Sequence, residues 1–185
     1  MKKYFFILLL LTLSSCDVFH TRSSEPPITQ RGNFQPATTT DILLQNLQNS
    51  FKDKLMDNYL ACFSDKIFSF SPSAGSVSRY SILQNWTRQD EGQFFNNLIN
   101  SVPQNSIITL SFSKTELIPQ GDSTSYSAKY TITVPFLDEQ KPKLYQGNLH
   151  FTMIRDSKLQ WVISYWMDIK DEQYPSWSEL KGSLN

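Results

Sequence analysis

At Pro103 the hydrophobic period of this chain changes from about 3.6 to 2, and no other feature constrains its architecture as tightly. Before the proline, Leu43, Leu47 and Phe51 recur at helical spacing, and Phe94, Phe95, Leu98 and Ile99 make a second apolar helix face. After it, Ile108, Leu110 and Phe112 share one face of a strand. Ala128, Tyr130, Ile132, Val134 and Phe136 then alternate with Lys129, Thr131 and Thr133, so that strand has one dry and one wet face. Helices followed by two-faced strands specify an α+β domain, with N-terminal helices packed on a curved antiparallel sheet. The 13 Phe, 8 Tyr and 4 Trp supply volume for one core of ordinary size.

Local signals punctuate the pattern. Thr38, Thr39 and Thr40 offer N-caps to the first helix, with Asp41 in its first turn. A second helix is expected from Met56 to Phe63, and a strand over Ile67 to Ser71 that stops at Pro72. Thr87 caps a third helix, which Pro103 closes; Asp90 and Glu91 read as its charged first turn. Gly121-Asp122-Ser123 predicts a hairpin. Leu149-Phe151-Met153 and Trp161-Ile163 mark two more strands joined by Asp156-Ser157-Lys158. Ser176-x-x-Glu179 is a capping box that opens a last short helix with Gly182 as its stop, and Trp177 and Leu180 could close the open end of the sheet.

The N-terminus carries an address. Lys2 and Lys3 precede an apolar run from Tyr4 to Leu13, interrupted only by Thr12, and Leu13-Ser14-Ser15-Cys16 closes it. The run is about half the roughly twenty residues that a membrane span needs. It reads as a bacterial lipoprotein signal, which gives 1–15 as signal peptide and 16–39 as a lipidated cysteine with a flexible tether rich in Ser, Thr and Pro. Residues 40–185 are then the domain. Removing Lys2 and Lys3 from the 17 basic residues leaves 15 against 17 acidic ones, a formal charge of −2. That balance argues against nucleic acid and against a polybasic second anchor. The membrane is therefore held through acyl chains on Cys16, and the expected location is the bacterial cell envelope.

Reactive constellations are scarce. With Cys16 lipidated, Cys62 has no partner in the chain, and it is read either as a reactive thiol or as a small buried hydrophobe within Tyr59-Leu60-Ala61-Cys62-Phe63. His20 lies in the tether, and His150 falls on the strand face opposite Leu149 and Phe151. There is no HExxH, CxxC, GxSxG or phosphate-cradling glycine loop, and nothing in the sequence calls for a metal or a cofactor.

The order helix, helix, strand, helix and four long strands resembles the nuclear transport factor 2-like superfamily, a cone-shaped α+β fold related to the cystatin-like and ketosteroid isomerase folds. The resemblance rests on Asn46-Leu47, Phe51, Tyr59-Leu60, Phe63, Asp65, Phe68 and Phe70, together with Trp161, Ile163, Trp166 and Asp168. It covers about Thr38 to Asp168 and looks most like uncharacterised bacterial lipoproteins of that superfamily. Such a cone implies a pocket lined by Tyr59, Phe70, Ser71, Trp86, Phe112, Tyr130 and Phe151, or a core that those same residues fill. Aligned with the isomerase, Ser71 falls where a catalytic aspartate stands, and a lone hydroxyl is no general base near neutral pH. The sequence thus points to a non-catalytic binding or structural module, with a small apolar ligand or an envelope protein as partner. The alternative is an isomerase-, dehydratase- or cyclase-like enzyme that uses the cone pocket. An assembly partner would require an exposed apolar patch on the sheet, to which Trp166 would contribute.

Overall fold

A computed structural model describes residues 32–185 of the chain. Cys16, expected to carry the anchor, most of the expected tether and His20 lie outside the described residues. Helix α1 (Thr40–Asp53) starts where expected, with Thr39 Oγ1 accepting from the Ile42 N–H at 3.3 Å, and ends at Lys54 in the left-handed region. Helix α2 (Met56–Ala61) follows, then the short strand β1 (Ser69–Ser71), helix α3 (Ser76–Arg79) and a 3-10 turn over Ser81–Asn85. Helix α4 (Arg88–Asn100) opens on a reciprocal box between Thr87 and Asp90. Strands β2 (Thr109–Gln120), β3 (Ser123–Thr133), β4 (Leu144–Arg155) and β5 (Trp161–Lys170) follow, and helix α5 (Trp177–Gly182) ends the chain.

The sheet order is β1-β5-β4-β3-β2, antiparallel except for the parallel β1–β5 pair. Its concave face carries Ala128, Tyr130 and Ile132 from β3 and Leu149, Phe151 and Met153 from β4, all buried against α1, α2 and α4. A bulge sets the curvature. Thr152 pairs with Tyr165 but Met153 pairs with Ile163, so Ser164 is the extra residue, its hydroxyl bonded to the Thr152 carbonyl at 3.1 Å. The bulge shifts the strand's phase, so Ile163 and Trp166 both face inward. Trp166 is fully buried in the core, which corrects the expectation that it would lie in an exposed patch on the sheet.

Other expectations need smaller corrections. The first strand pairs only over Ser69–Ser71, and Ile67 is exposed, because the Ser64 hydroxyl ties the Lys66 and Ile67 amides into a turn. Val134 and Phe136 are buried as predicted but lie past the end of β3, since Pro135 has no amide to continue the ladder. The last residues assigned to the tether are docked. Gln35 exchanges backbone hydrogen bonds with the Asn46 side chain, and buried Ala37 accepts from the Trp161 amide at 2.8 Å. On the outer face His150 Nδ1 lies 3.0 Å from the Ser127 hydroxyl, on the side opposite Leu149 and Phe151.

One register pair shows how closely the interior is fitted. Tyr130 faces Gly147 across β3 and β4, and a Cβ at Gly147 would sit 2.5 Å from the Tyr130 hydroxyl and 2.6 Å from the Ile169 carbonyl. Gly147 is therefore the gap into which the phenol reaches. Gly147→Ala should cost about 1–3 kcal/mol by overpacking, and Thr131→Ala on the outer face under about 1 kcal/mol. Urea unfolding of the two variants checks this, and equal costs would contradict the fit at Gly147.

Candidate functional site in the filled interior of the sheet

The polar centre of the protein is Glu91, a carboxylate that the sequence places in the charged first turn of α4. Glu91 sits one residue past Asp90 in the first turn of α4, and consecutive helix residues diverge by about 100°. Asp90 turns outward to cap the helix, while Glu91 turns in and is fully buried. Its Oε2 accepts from the Tyr59 hydroxyl at 2.6 Å, and its Oε1 accepts from Trp86 Nε1 at 2.7 Å. Oε1 also receives Lys181 Nζ from α5, an ion pair with both side chains fully buried.

Aromatic rings complete the surroundings of that lysine. Its Nζ lies 3.6 Å from the ring centroids of both Phe70 and Trp166, 5.2 Å from Trp86 and 5.9 Å from Phe94. Ring faces carry negative quadrupole density, so the ammonium is met on several sides. Burial pulls Lys181 down to about 8, while Glu91 holds it up.

A second buried carboxylate anchors the other end of α5. Asp168 Oδ1 accepts from the Tyr130 hydroxyl at 2.7 Å, and its Oδ2 accepts from the Ser178 amide at 2.8 Å and the Ser178 hydroxyl at 2.5 Å. The Tyr130 oxygen in turn accepts from the Trp177 amide at 2.7 Å. Ser73, at 2 % exposure, links its hydroxyl to those of Ser76 and Ser176 at 2.7 and 2.8 Å. Trp177 packs edge-on to Trp166, Tyr130 and Phe51, with centroids 4.4, 5.3 and 5.5 Å away. The side chain that Gly182 lacks is replaced by the Tyr80 ring, which a Cβ there would strike.

Of the residues expected to line a pocket, Tyr59, Phe70, Trp86, Tyr130 and Phe151 converge here, and all are buried. Ser71 follows inward-facing Phe70, so alternation puts it on the other face of β1, half-buried and paired in register with Met167. Phe112 is only partly buried, packed against the edge of the core beside a surface cleft with Leu44, Gln45 and Tyr126. Other clefts lined by described residues are at the surface too. One of about 730 Å³ lies at the hairpin turns beside Gly121 and Leu159, another of about 650 Å³ between α2 and α4. Cys62 is fully buried, its Sγ 3.4 Å from the Asn58 carbonyl, and burial pushes its thiol up.

The interior has little capacity for acid–base work as it stands. Burial, then the neighbouring carboxylates, push the Tyr59 and Tyr130 phenols well above their ordinary range, so both stay protonated donors. Glu91 and Asp168 are each engaged by three donors from the chain. A general base must come within hydrogen-bond reach of a substrate proton, and α5 occupies that space.

No family model matches the sequence, and no curated protein matches it. Solved structures do share the fold. A nuclear transport factor 2-like superfamily protein from Salmonella enterica superposes with a TM-score of 0.54 at 12% identity, covering 72% of this chain and 87% of that one. A protein of unknown function with a cystatin-like fold from Nostoc punctiforme gives 0.51 at 11%, covering 72% and 89%. ActVI-ORFA from Streptomyces coelicolor gives 0.50 at 12%, covering 68% and 90%. The chain therefore has the nuclear transport factor 2-like, cystatin-like cone, and at these identities the likeness extends to the fold alone.

The buried pair makes a double-mutant cycle informative. Glu91→Gln or Lys181→Met alone should cost about 3–5 kcal/mol, because each leaves an uncompensated charge, while the double variant should fall close to the parent. Additive losses would contradict the coupling. The pH dependence has a definite sign. Folded Lys181 releases its proton near pH 8, whereas the unfolded side chain keeps it to about 10.4. Raising the pH through that window therefore favours the folded state. From pH 8 to 10 the parent should gain stability relative to Lys181→Met/Glu91→Gln in chemical denaturation, and a relative loss would contradict the burial of a titrating lysine.

Proposed function

We propose that this chain is a lipid-anchored lipoprotein of the bacterial cell envelope whose cone-shaped domain is a non-catalytic binding or structural module. The observation that carries the non-catalytic part is the seating of Lys181 and Trp177 in the interior, where a ligand of a cone-shaped enzyme would need to lie. The anchoring part rests on the short apolar run that ends at Leu13-Ser14-Ser15-Cys16. With its last residues docked, the tether from Cys16 would hold the domain on the order of 20–25 Å from the bilayer. At that distance the domain's surface, rather than its interior, is what meets other envelope components.

Two measurements, one in a bacterial host and one on the purified domain, test the reading. Metabolic labelling with a palmitate analogue should mark the parent and fail to mark Cys16→Ala, which should either leave the membrane fraction or remain uncleaved. Acyl labelling that persists in the variant would overturn the anchor. The purified domain should isomerise a model ketosteroid no faster than buffer, and a clear rate would overturn the non-catalytic reading.

A further inference from the structure

Every wall of the box around Lys181 comes from elements other than α5: Phe70 from β1, Trp86 from the end of the 3-10 turn, Glu91 and Phe94 from α4, and Trp166 from β5. The rest of the domain builds the site, and Lys181 stands in it as a ligand stands in a pocket. We propose that this box is a binding site for a short primary alkylammonium cation, a place that Lys181 fills in cis. The inference goes beyond the proposed function and rests on its filled interior.

Three features define the ligand. The rings of Phe70 and Trp166, each 3.6 Å from Nζ at its centroid, favour a compact cation over a neutral group. Glu91 supplies a single charged acceptor, oriented before any ligand arrives because the Trp86 N–H and the Tyr59 hydroxyl hold its two oxygens from other elements. That geometry suits an N–H donor, which a quaternary ammonium lacks. Glu91 is the one acceptor that Nζ meets among the described residues, so a guanidinium placed there would leave most of its five N–H groups unmatched. The remaining space is the track of the Lys181 methylenes, which sets a short unbranched alkyl chain as the tail.

Chemical rescue tests the assignment on the full chain. Lys181→Ala removes Cγ, Cδ, Cε and Nζ, which n-propylammonium reproduces atom for atom. The amine is fully protonated at pH 7, and so few heavy atoms limit its affinity to roughly 10⁻⁴–10⁻⁵ M at best. At constant ionic strength, propylammonium chloride should raise the melting temperature of Lys181→Ala along a saturating curve. 1-Propanol and tetramethylammonium should be at least tenfold less potent. The parent and Lys181→Met, whose own side chains fill the track, should not respond, nor should Lys181→Ala/Glu91→Gln. If Lys181→Ala is unfolded by itself, the same titration followed by circular dichroism should show saturable folding with propylammonium. No response in either form, equal potency of tetramethylammonium or 1-propanol, or an equal response from Lys181→Met would overturn the site. Those failures would leave the non-catalytic reading standing, since that falls only to turnover by the parent.

Discussion

The structure is arranged around one buried amino group, that of Lys181, and the carboxylate of Glu91 opposite it. Burying a lysine costs several kcal/mol in lost hydration unless charge and hydrogen bonds meet it. Here Glu91 and the faces of Phe70 and Trp166 meet it together. The consequence is positional. A helix of six residues such as α5 has almost no stability of its own, and its apolar contacts alone would tolerate small slips. With Lys181 opposite Glu91 and Ser178 on Asp168, one seating satisfies both carboxylates, and a slip along the helix would strand all of these charges.

The rest of the fold serves that seating. The bulge at Ser164 turns Trp166 inward, and Asp168 with it, so the same strand offers a ring to Lys181 and a carboxylate to Ser178. Gly147 leaves the gap through which the Tyr130 hydroxyl reaches Asp168 and the Trp177 amide. Gly182 lets α5 close onto Tyr80. The concave side of the sheet is here closed by α5. This is why the reading proposed above gives the domain's surface, and not its interior, to any macromolecular partner.

Much of the scaffold was legible because burial imposes a period. The alternation at Ala128, Tyr130 and Ile132, the Thr39, Thr87 and Ser176 caps and the hairpin at Gly121 all appear where the sequence puts them. The short segments α3 and Ser81–Asn85 were not legible, since neither is long enough to show a period. The charged centre was hidden by residue type rather than by spacing. Glu91 precedes Phe94, Phe95 and Leu98 by three, four and seven residues, which places it on the apolar face of its helix. Lys181 follows Trp177 by four and Leu180 by one, on the buried side of α5. Two charges of opposite sign at apolar-face positions of two helices were the available signal. Only the tertiary pairing of α4 with the C-terminus shows that they meet.

Native-state hydrogen exchange of the α5 backbone tests the central claim most directly. If the C-terminal helix is part of the core, the amides of Trp177 and Ser178, which donate to the Tyr130 hydroxyl and to Asp168, exchange only through global unfolding. They should then show the same opening free energy and denaturant dependence as the central amides of β3 and β4. If those two amides instead open independently, with a free energy far below that of the sheet, α5 is a loosely held lid, and the account of a self-filled cone is wrong.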